Sequence, residues 1–283
     1  MERISSRQNA IVKRFRDVAR ASRTAPGGGH AADVLLDGEH LLQEALACEI
    51  HVEIAAFSDA HIAKVLTPLA RLAKDVATRG GRVVSVSEQV LAAMSPVDHP
   101  SGVVAIARAR PVDVRAVMAG TTELPLVLVL AGVQDPGNVG AIVRTAAAFG
   151  ASGVVAIEGS ANPFSWKALR GAMGGTFRVP IAARGTLSDV VASANELGVR
   201  LVAAVPRGGT PLPKLDLRDP TAVVLGGEGA GVPGATIAAV QETVTIPMQA
   251  PVESLNVAIA GALILYEANR QRQDIRARSG AKI

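Results

Sequence analysis

Short, almost entirely apolar segments alternate with helix-like segments along the second half of this chain. We expect strands at five of them, namely Leu126–Ala131, Gly153–Ile157, Arg200–Val205, Ala222–Leu225 and Val244–Ile246. Strands that are apolar at consecutive positions are buried on both faces, which requires crossover helices on both sides of a parallel sheet. Helices are predicted to begin near Asn138, Ser165, Leu187 and Ser254. The pattern therefore predicts a parallel-sheet α/β domain over residues 125–283.

The first part of the chain shows a weaker version of the same alternation. We expect strands near Val34–Leu36, Val52–Phe57, Arg82–Ser85 and Val103–Ala107. Helices are predicted from about Arg7, at Leu41–Ala47, at Lys64–Arg79 and after Ser87. Residues 111–124 have few bulky apolar side chains and predict a linker with one short helix. We therefore expect a small α/β domain over residues 1–110, a linker over 111–124 and the parallel-sheet domain after it.

Composition excludes several classes of protein. The longest apolar runs, such as Ala258–Leu265, are far shorter than the roughly 20 residues that cross a bilayer. Residues 1–25 are basic and polar and show no secretory signal, so we expect a cytoplasmic protein. A single cysteine and five histidines leave no internal disulfide and no structural zinc site. The chemistry must come from other groups, without a metal.

The basic residues are concentrated at the two ends of the chain. Residues 1–23 contain seven lysines and arginines against two acids, although the net charge is only +4. Such an end can bind nucleic-acid phosphates. It can equally be the solvated face of a helix whose Phe15 and Val18 pack inward. Charge alone leaves both interpretations open.

The first polar segment follows the strand that ends at Ala131. An Asp-Pro-Gly turn at residues 135–137 precedes Asn138, which opens a helix that carries Arg144. The alternative is that Asn138 only caps the helix and Arg144 only pairs with a neighbouring acid.

The second segment contains a G-x-G-x-x-G pattern at residues 229–234, behind a strand. A dinucleotide fingerprint is one interpretation. Pro233 inside the pattern argues against it, as does the next strand, which ends in Pro247 and Met248 without the acid that would hold a ribose. Glu228 among glycines suggests instead a loop whose backbone approaches something closely, or a plain turn with a solvated carboxylate.

The third segment runs from the strand at Val244–Ile246 into a long helix. Ser254 is suited to cap that helix, and Asn256 would project from its first turn. Capping by Ser254 explains neither Asn256 nor the apolar irregular loop after Met248.

Together the three segments resemble the three motifs of the SpoU/TrmH family of RNA ribose methyltransferases, within the SPOUT superfamily. Three strings carry the match: Asn138-x-Gly140-x-x-x-Arg144-Thr145-Ala146, Gly226-x-Glu228-x-x-Gly231-Val232, and Ile246-Pro247-Met248 followed by Ser254-Leu255-Asn256-Val257-Ala258. The first domain is similar to the substrate-binding domain that precedes the catalytic one in many members. The resemblance implies an α/β knot, that is, a catalytic domain with a deep trefoil knot, and S-adenosylmethionine as the cofactor.

The resemblance also implies a set of site residues. The cofactor contacts should include Gly226, Ile246 and Leu255, with Leu225, Met248 and Ala204 nearby. The catalytic set comprises Arg144 together with Asn138, Glu228, Ser254 and Asn256, which would position Arg144 and the RNA backbone. Arginine remains charged in proteins, so we favour Arg144 as a clamp on the phosphate next to the reacting ribose over Arg144 as a general base. Ala172 departs from many relatives, which have serine there.

The function implied is therefore an S-adenosylmethionine-dependent RNA 2′-O-ribose methyltransferase that acts on 23S ribosomal RNA. Two alternatives are a transfer RNA 2′-O-methyltransferase and a non-catalytic RNA-binding or ribosome-assembly factor with the same fold. The family also implies a homodimer, for which the last helix offers Leu263, Ile264 and Tyr266 as interface candidates. Ordinary core packing is the alternative for each of these three.

Overall fold

The computed structural model describes residues 1–22, 32–62 and 67–278, with side chains through residue 273. Part of the helix predicted at Lys64–Arg79 lies outside the described residues. Within them, no helix is both long and apolar enough to cross a membrane.

The first domain is a five-stranded mixed sheet with helices on both faces. Its strands are β1 (Glu2–Ile4), β2 (Ala32–Asp37), β3 (Val52–Ser58), β4 (Arg82–Val86) and β5 (Val103–Ala109), in the order β1-β4-β3-β5-β2. Strand β5 runs antiparallel to β2 and β3, and the other pairs are parallel. The helices are α1 (Ala10–Ala21), α2 (Glu39–Ala47), α3 (Asp59–Ile62), α4 (Pro68–Thr78) and α5 (Glu88–Met94).

The second sheet has seven strands, all parallel, in the order β10-β12-β9-β11-β6-β7-β8. The strands are β6 (Leu126–Ala131), β7 (Gly153–Ile157), β8 (Ile181–Gly185), β9 (Arg200–Ala204), β10 (Thr210–Pro211), β11 (Thr221–Gly226) and β12 (Glu242–Thr245). The helices are α6 (Val114–Ala119), α7 (Pro136–Ala148), α8 (Trp166–Ala172), α9 (Leu187–Leu197), α10 (Gly234–Ala239) and α11 (Val257–Arg278). This confirms the predicted mixed α/β architecture with a parallel sheet. The trefoil knot stays a prediction, since strand order does not establish how the chain threads.

Alternate residues of the central strands explain why helices cover both faces of this sheet. Leu128 and Leu130 of β6 join a core with α7, α8 and α11, whereas Val127 and Val129 join a second core with α6 and α9. Side chains alternate between the two faces of a strand, so a strand that is apolar at every position must be covered on both faces. Helix α6 lies in the predicted linker, and its Val117 contributes to the second core.

The two sheets are joined by a segment of the parallel-sheet domain around α8. Trp166 packs against the core between the first sheet and α1, and Asn162 Nδ2 donates a hydrogen bond of 2.8 Å to the carbonyl oxygen of Ser22. Arg178 forms an ion pair of 2.5 Å with Glu44 of α2. The RNA-binding domain expected from the sequence is thus packed against α8 and the segments on either side of it.

Three details differ from the sequence-based expectations. Asp135, not Asn138, caps α7, because its Oδ1 accepts from the backbone N–H of Gly137 at 2.6 Å. Helix α11 begins at Val257 and not at Ser254. Ile264 was predicted at a dimer surface, but its side chain is fully buried because it lies on the inward face of α11. Leu263 and Tyr266 lie on the exposed face of that helix.

Candidate active site

An apolar cavity of about 380 Å³ opens at the carboxyl ends of β9, β11 and β12. Parallel sheets bind their ligands at this edge. All six predicted cofactor residues line the cavity: Ala204, Leu225, Gly226, Ile246, Met248 and Leu255. Three of the five predicted catalytic residues line it as well: Glu228, Ser254 and Asn256.

A chain of hydrogen bonds links the three sequence segments at the mouth of this cavity. Asn138 Nδ2 donates to Glu228 Oε1, and Asn256 Nδ2 donates to Asn138 Oδ1 at 3.1 Å. Glu228 and Asn256 are exposed, and Asn138 is partly buried. One amide thus fixes both a carboxylate and a second amide that line the cavity.

Helix capping explains how the two asparagines become available for this chain of bonds. Because Asp135 caps α7, the side chain of Asn138 is free to reach out of the first turn. Asn256 both caps α11 and bonds to Asn138. Its Oδ1 accepts from the backbone N–H groups of Ala258 (2.9 Å) and Ile259 (3.3 Å), and its Nδ2 donates to Asn138. Ser254 lies in the exposed loop before the helix and contributes to the cavity wall.

The glycines of the second segment allow protein loops to approach each other. A Cβ at Gly226 would lie 2.1 Å from the carbonyl carbon of Gly231, and one at Gly227 would lie 2.0 Å from the carbonyl oxygen of Gly132. Atoms cannot approach so closely, so any side chain at these two positions would push the loops apart. The close approach expected near Glu228 is therefore one between backbone segments that frame the cavity.

Arg144 does not line this cavity. It lies on α7 six residues after Asn138, which is about 9 Å along the helix axis and on a different face. Its side chain is exposed and has no hydrogen-bond or ion-pair partner within residues 1–22, 32–62 and 67–273. The structure thus brings four of the five predicted catalytic residues together at the cavity. Arg144 of the same chain lies apart from them.

Sequence reasoning missed five apolar residues of the cavity wall. Val205 and Pro206 follow β9, Val244 lies in β12, and Val257 and Ala260 form the inner face of the first turns of α11. The residues at the strands could have been found from their place at the carboxyl ends of buried strands, and the helical pair from its spacing to Asn256. In the described part of the chain, no group of three or more His, Cys, Asp or Glu could hold a metal ion.

A second cavity of about 830 Å³ lies against α1 in the first domain. It is larger, but Arg14 and Arg108 in its wall are paired with Asp33 and Glu53. Ser22 and Ala32, which flank a segment outside the described residues, also line it. The apolar cavity of the parallel sheet is therefore the candidate site.

Comparisons with known proteins agree with this choice. The family model described as SpoU rRNA Methylase family matches residues 125–266. An uncharacterized tRNA/rRNA methyltransferase of Synechocystis sp. is 34% identical over 95% of this chain and 94% of its own length. The 23S rRNA (guanosine(2553)-2′-O)-methyltransferase RlmP of Bacillus subtilis is 30% identical over 94% of this chain and 98% of its own.

The same likeness appears among solved structures. The AdoMet-bound rRNA methyltransferase from Sinorhizobium meliloti superposes with a TM-score of 0.81 at 29% identity, and the match covers 95% of this chain and 97% of the other. The similarity thus extends over both domains and not only over the parallel sheet.

Proposed function

Because this chain belongs to the SpoU rRNA methylase family, we propose that it transfers a methyl group from S-adenosylmethionine to a ribose 2′-hydroxyl of 23S ribosomal RNA. The observation that carries the proposal is the convergence of the three sequence segments on one apolar cavity, joined through Asn138. The relative RlmP, named for that reaction on 23S rRNA, matches nearly the whole chain and supports the choice of RNA. We also propose a cytoplasmic location, which such an RNA substrate supports.

The cavity suits the cofactor in size and chemistry. Its volume of about 380 Å³ falls in the range of small-molecule sites, roughly 300–1,000 Å³. Leu225, Ile246 and Leu255 provide apolar walls for an adenine, and the surrounding backbone provides hydrogen-bonding groups. The carboxylate of Glu228 at the mouth favours a cationic ligand. When bound, the cofactor supplies an electrophilic methyl group.

The bonded side chains at the mouth position the ribose. Asn138 holds Glu228 and Asn256 in fixed places, so the groups that meet the RNA backbone do not have to be ordered during binding. Placing reactants in this way can lower a barrier by several kcal/mol.

Arg144 binds the phosphate next to the reacting ribose. A guanidinium stays charged and presents a planar set of donors that matches phosphate oxygens. Its positive charge also stabilises the negative charge that develops on the 2′-oxygen. The absence of a partner for Arg144 within the described residues fits a group reserved for substrate.

We further propose that the protein is a homodimer and that Arg144 of one subunit acts at the cavity of the other. Ile259, Leu263 and Tyr266 form an exposed apolar stripe on α11, with 53%, 40% and 55% of their surface exposed. Tyr266 packs edge-on against Phe149 at the end of α7, with ring centroids 6.0 Å apart. A two-fold contact along the stripe would therefore bring the α7 helices, and with them Arg144, to the interface.

Substitution of Arg144 tests the function. Arg144→Ala should lower methyl transfer to ribosomal RNA from a strain without the gene by about 100-fold or more, the usual effect of losing such a charge stabiliser. Calorimetry should show unchanged binding of S-adenosylmethionine. Arg115→Ala is the control and should remain active, because Arg115 is an exposed residue of α6 that pairs with Glu196 on the surface. Unchanged turnover of Arg144→Ala would refute the assignment, and methylation found only on transfer RNA would refute the choice of RNA.

Subunit mixing tests the dimer. Arg144→Ala and Glu228→Ala are each expected to be nearly inactive. When the two variants are co-expressed, half of the dimers should combine one subunit of each kind. Each such dimer contains one intact site out of two, so about a quarter of wild-type activity should return. If no activity returns, Arg144 acts within its own chain.

A further inference from the structure

Met173 occupies an unusual backbone conformation on the surface. It follows the last residue of α8 with φ 48° and ψ 46°, in the left-handed region. A residue with a Cβ is disfavoured there, and glycine is the usual choice after a helix. Two glycines, Gly174 and Gly175, follow immediately, yet methionine takes this position. A retained strain of this kind points to a role for the side chain.

The side chain of Met173 is also unusually exposed for an apolar residue. Of its surface, 42% is accessible to solvent. Burial in the core of the chain therefore does not account for it. A glycine at this position would remove both the strain and the exposed thioether.

Met173 lies beside the helix that carries Arg144. Helices α7 and α8 cross in close contact, because a Cβ at Gly171 would lie 3.3 Å from the Cα of Gly140. Two residues after Met173, a Cβ at Gly175 would lie 3.1 Å from the Cα of Arg144. Arg170, in the last turn of α8, is exposed as well. The segment that carries Met173 thus packs against the turn of α7 that carries Arg144, and Arg170 lies one helical turn before Met173.

The aromatic side chains are engaged in packing within the protein. Phe15, Phe57 and Phe164 are buried, and Trp166 packs against the core of the first domain. Phe149 and Phe177 are partly buried against the main core, and Tyr266 lies on the α11 stripe. RNA-binding sites commonly stack unpaired bases on aromatic rings. A methionine sulfur makes favourable contacts with aromatic rings too, and its flexible chain adapts to any of the four bases.

We propose that Met173 packs against an unstacked RNA base at the methylation site, while Arg144 holds the neighbouring phosphate. The inference rests on the proposed function and adds a substrate-binding residue to it. Because every base has an aromatic face, the contact should favour RNA with an accessible base at this point without selecting which base it is.

The test compares Met173→Gly with Met173→Leu in the full-length protein. The probe is ribosomal RNA from a strain without the gene, with transfer of labelled methyl from S-adenosylmethionine as the readout. Met173→Gly relieves the strain, so its unfolding temperature should equal or exceed that of the wild type. Its KM for RNA should rise about 3- to 10-fold, with kcat and cofactor affinity unchanged. Met173→Leu keeps an apolar side chain and should stay within about twofold of the wild type.

Leu124→Ala serves as the matched control, because Leu124 is a similarly exposed apolar residue before β6, at the opposite edge of the sheet. Its KM should not change. An unchanged KM for Met173→Gly in an active enzyme overturns this inference alone. Loss of the dimer in Met173→Gly on size-exclusion chromatography also overturns it, since Met173 would then be an interface residue. Absence of transfer by the wild type overturns the proposed function and this inference with it.

Discussion

Both sheets carry polar residues at the carboxyl ends of their parallel strands. Among the described residues, those of the second sheet lie at the candidate cavity and those of the first sheet do not. In the first sheet, β2 ends at Asp37, β3 at Ser58 and β4 is followed by Ser87 and Glu88. In the second, Asn138, Glu228 and Asn256 follow β6, β11 and β12. The two edges therefore differ in how their polar groups are satisfied, not in whether they carry them.

At the first edge the polar groups bind one another. Ser95 Oγ donates to Asp37 Oδ2 at 2.5 Å, and Ser58 Oγ donates to Glu88. Arg3 pairs with Asp59 at 2.9 Å. At the second edge the bonded side chains lie at the mouth of an apolar cavity, and the loops that frame it approach each other closely at Gly226 and Gly227. A parallel-strand edge thus becomes a binding site when loop packing leaves apolar space beneath fixed polar groups.

The largest effect is expected from disrupting the close backbone contact that frames the cavity. Gly226→Ala puts a methyl group within 2.1 Å of the Gly231 backbone, so the loops must separate. We expect binding of S-adenosylmethionine, measured by calorimetry, to weaken by about 100-fold or more, and stability to fall by about 1–3 kcal/mol.

Gly234→Ala is the matched control in the same loop region, since a Cβ there meets no atom within 4 Å and the backbone is not left-handed. It should bind the cofactor as the wild type does. Equal affinities for wild type and Gly226→Ala would show that the glycine contact does not maintain the cavity.

A smaller effect is expected from removing only the charge of Glu228. Glu228→Gln keeps an oxygen that can accept from Asn138 Nδ2, so the hydrogen-bond chain should persist. Loss of the carboxylate charge at the cavity mouth should lower kcat/KM for methyl transfer by about tenfold. Glu158→Gln removes an exposed charge after β7, at the same edge of the sheet but outside the cavity, and should have no effect. Equal losses in both variants would mean that net charge, not the site, is responsible.

The sequence predicts the second edge well because its signals are local. The strand at Leu126–Ala131 matches the structure, since six consecutive apolar residues between turn signals fit a strand buried on both faces. Strand β8 was missed because Ile181–Gly185 includes the exposed Arg184 and lacks the long apolar run of its neighbours. Strand β1 has only three residues and relies on pairing with β4.

The site was harder to predict where it depends on distant contacts. Asn138 and Glu228 are 90 residues apart, so their bond follows from the fold and not from spacing. The separation of Arg144 from Asn138, in contrast, was available from the sequence. Six residues at about 100° each place the two side chains on different faces of one helix.

The smallest effect is expected on stability at the first edge, where the carboxyl of Asp37 is buried. Burial raises the pKa of this carboxyl, while the hydrogen bond from Ser95 and the charge of Arg170 oppose that rise. The folded protein therefore binds the proton more tightly than the unfolded chain does. Below the ordinary pKa of this group, about 4, the carboxyl is protonated in both the folded and the unfolded state, so no charge is buried on folding. As the pH rises through the interval up to the raised pKa, the unfolded state loses its proton first, and stability falls.

Asp37→Asn removes this dependence, since an amide keeps an acceptor for Ser95 and has no charge to bury. Its thermal midpoint should exceed that of the wild type at pH 7, and the difference should shrink as the pH falls to about 4. Asp59→Asn, at the same edge but in an exposed ion pair with Arg3, should give no such gain. If Asp37→Asn instead lowers the midpoint at pH 7, the ionised carboxylate is stabilised by Ser95 and Arg170 more than burial penalises it. The first edge would then hold a charge as firmly as the second, and the contrast between the two sheets would rest on the apolar cavity alone.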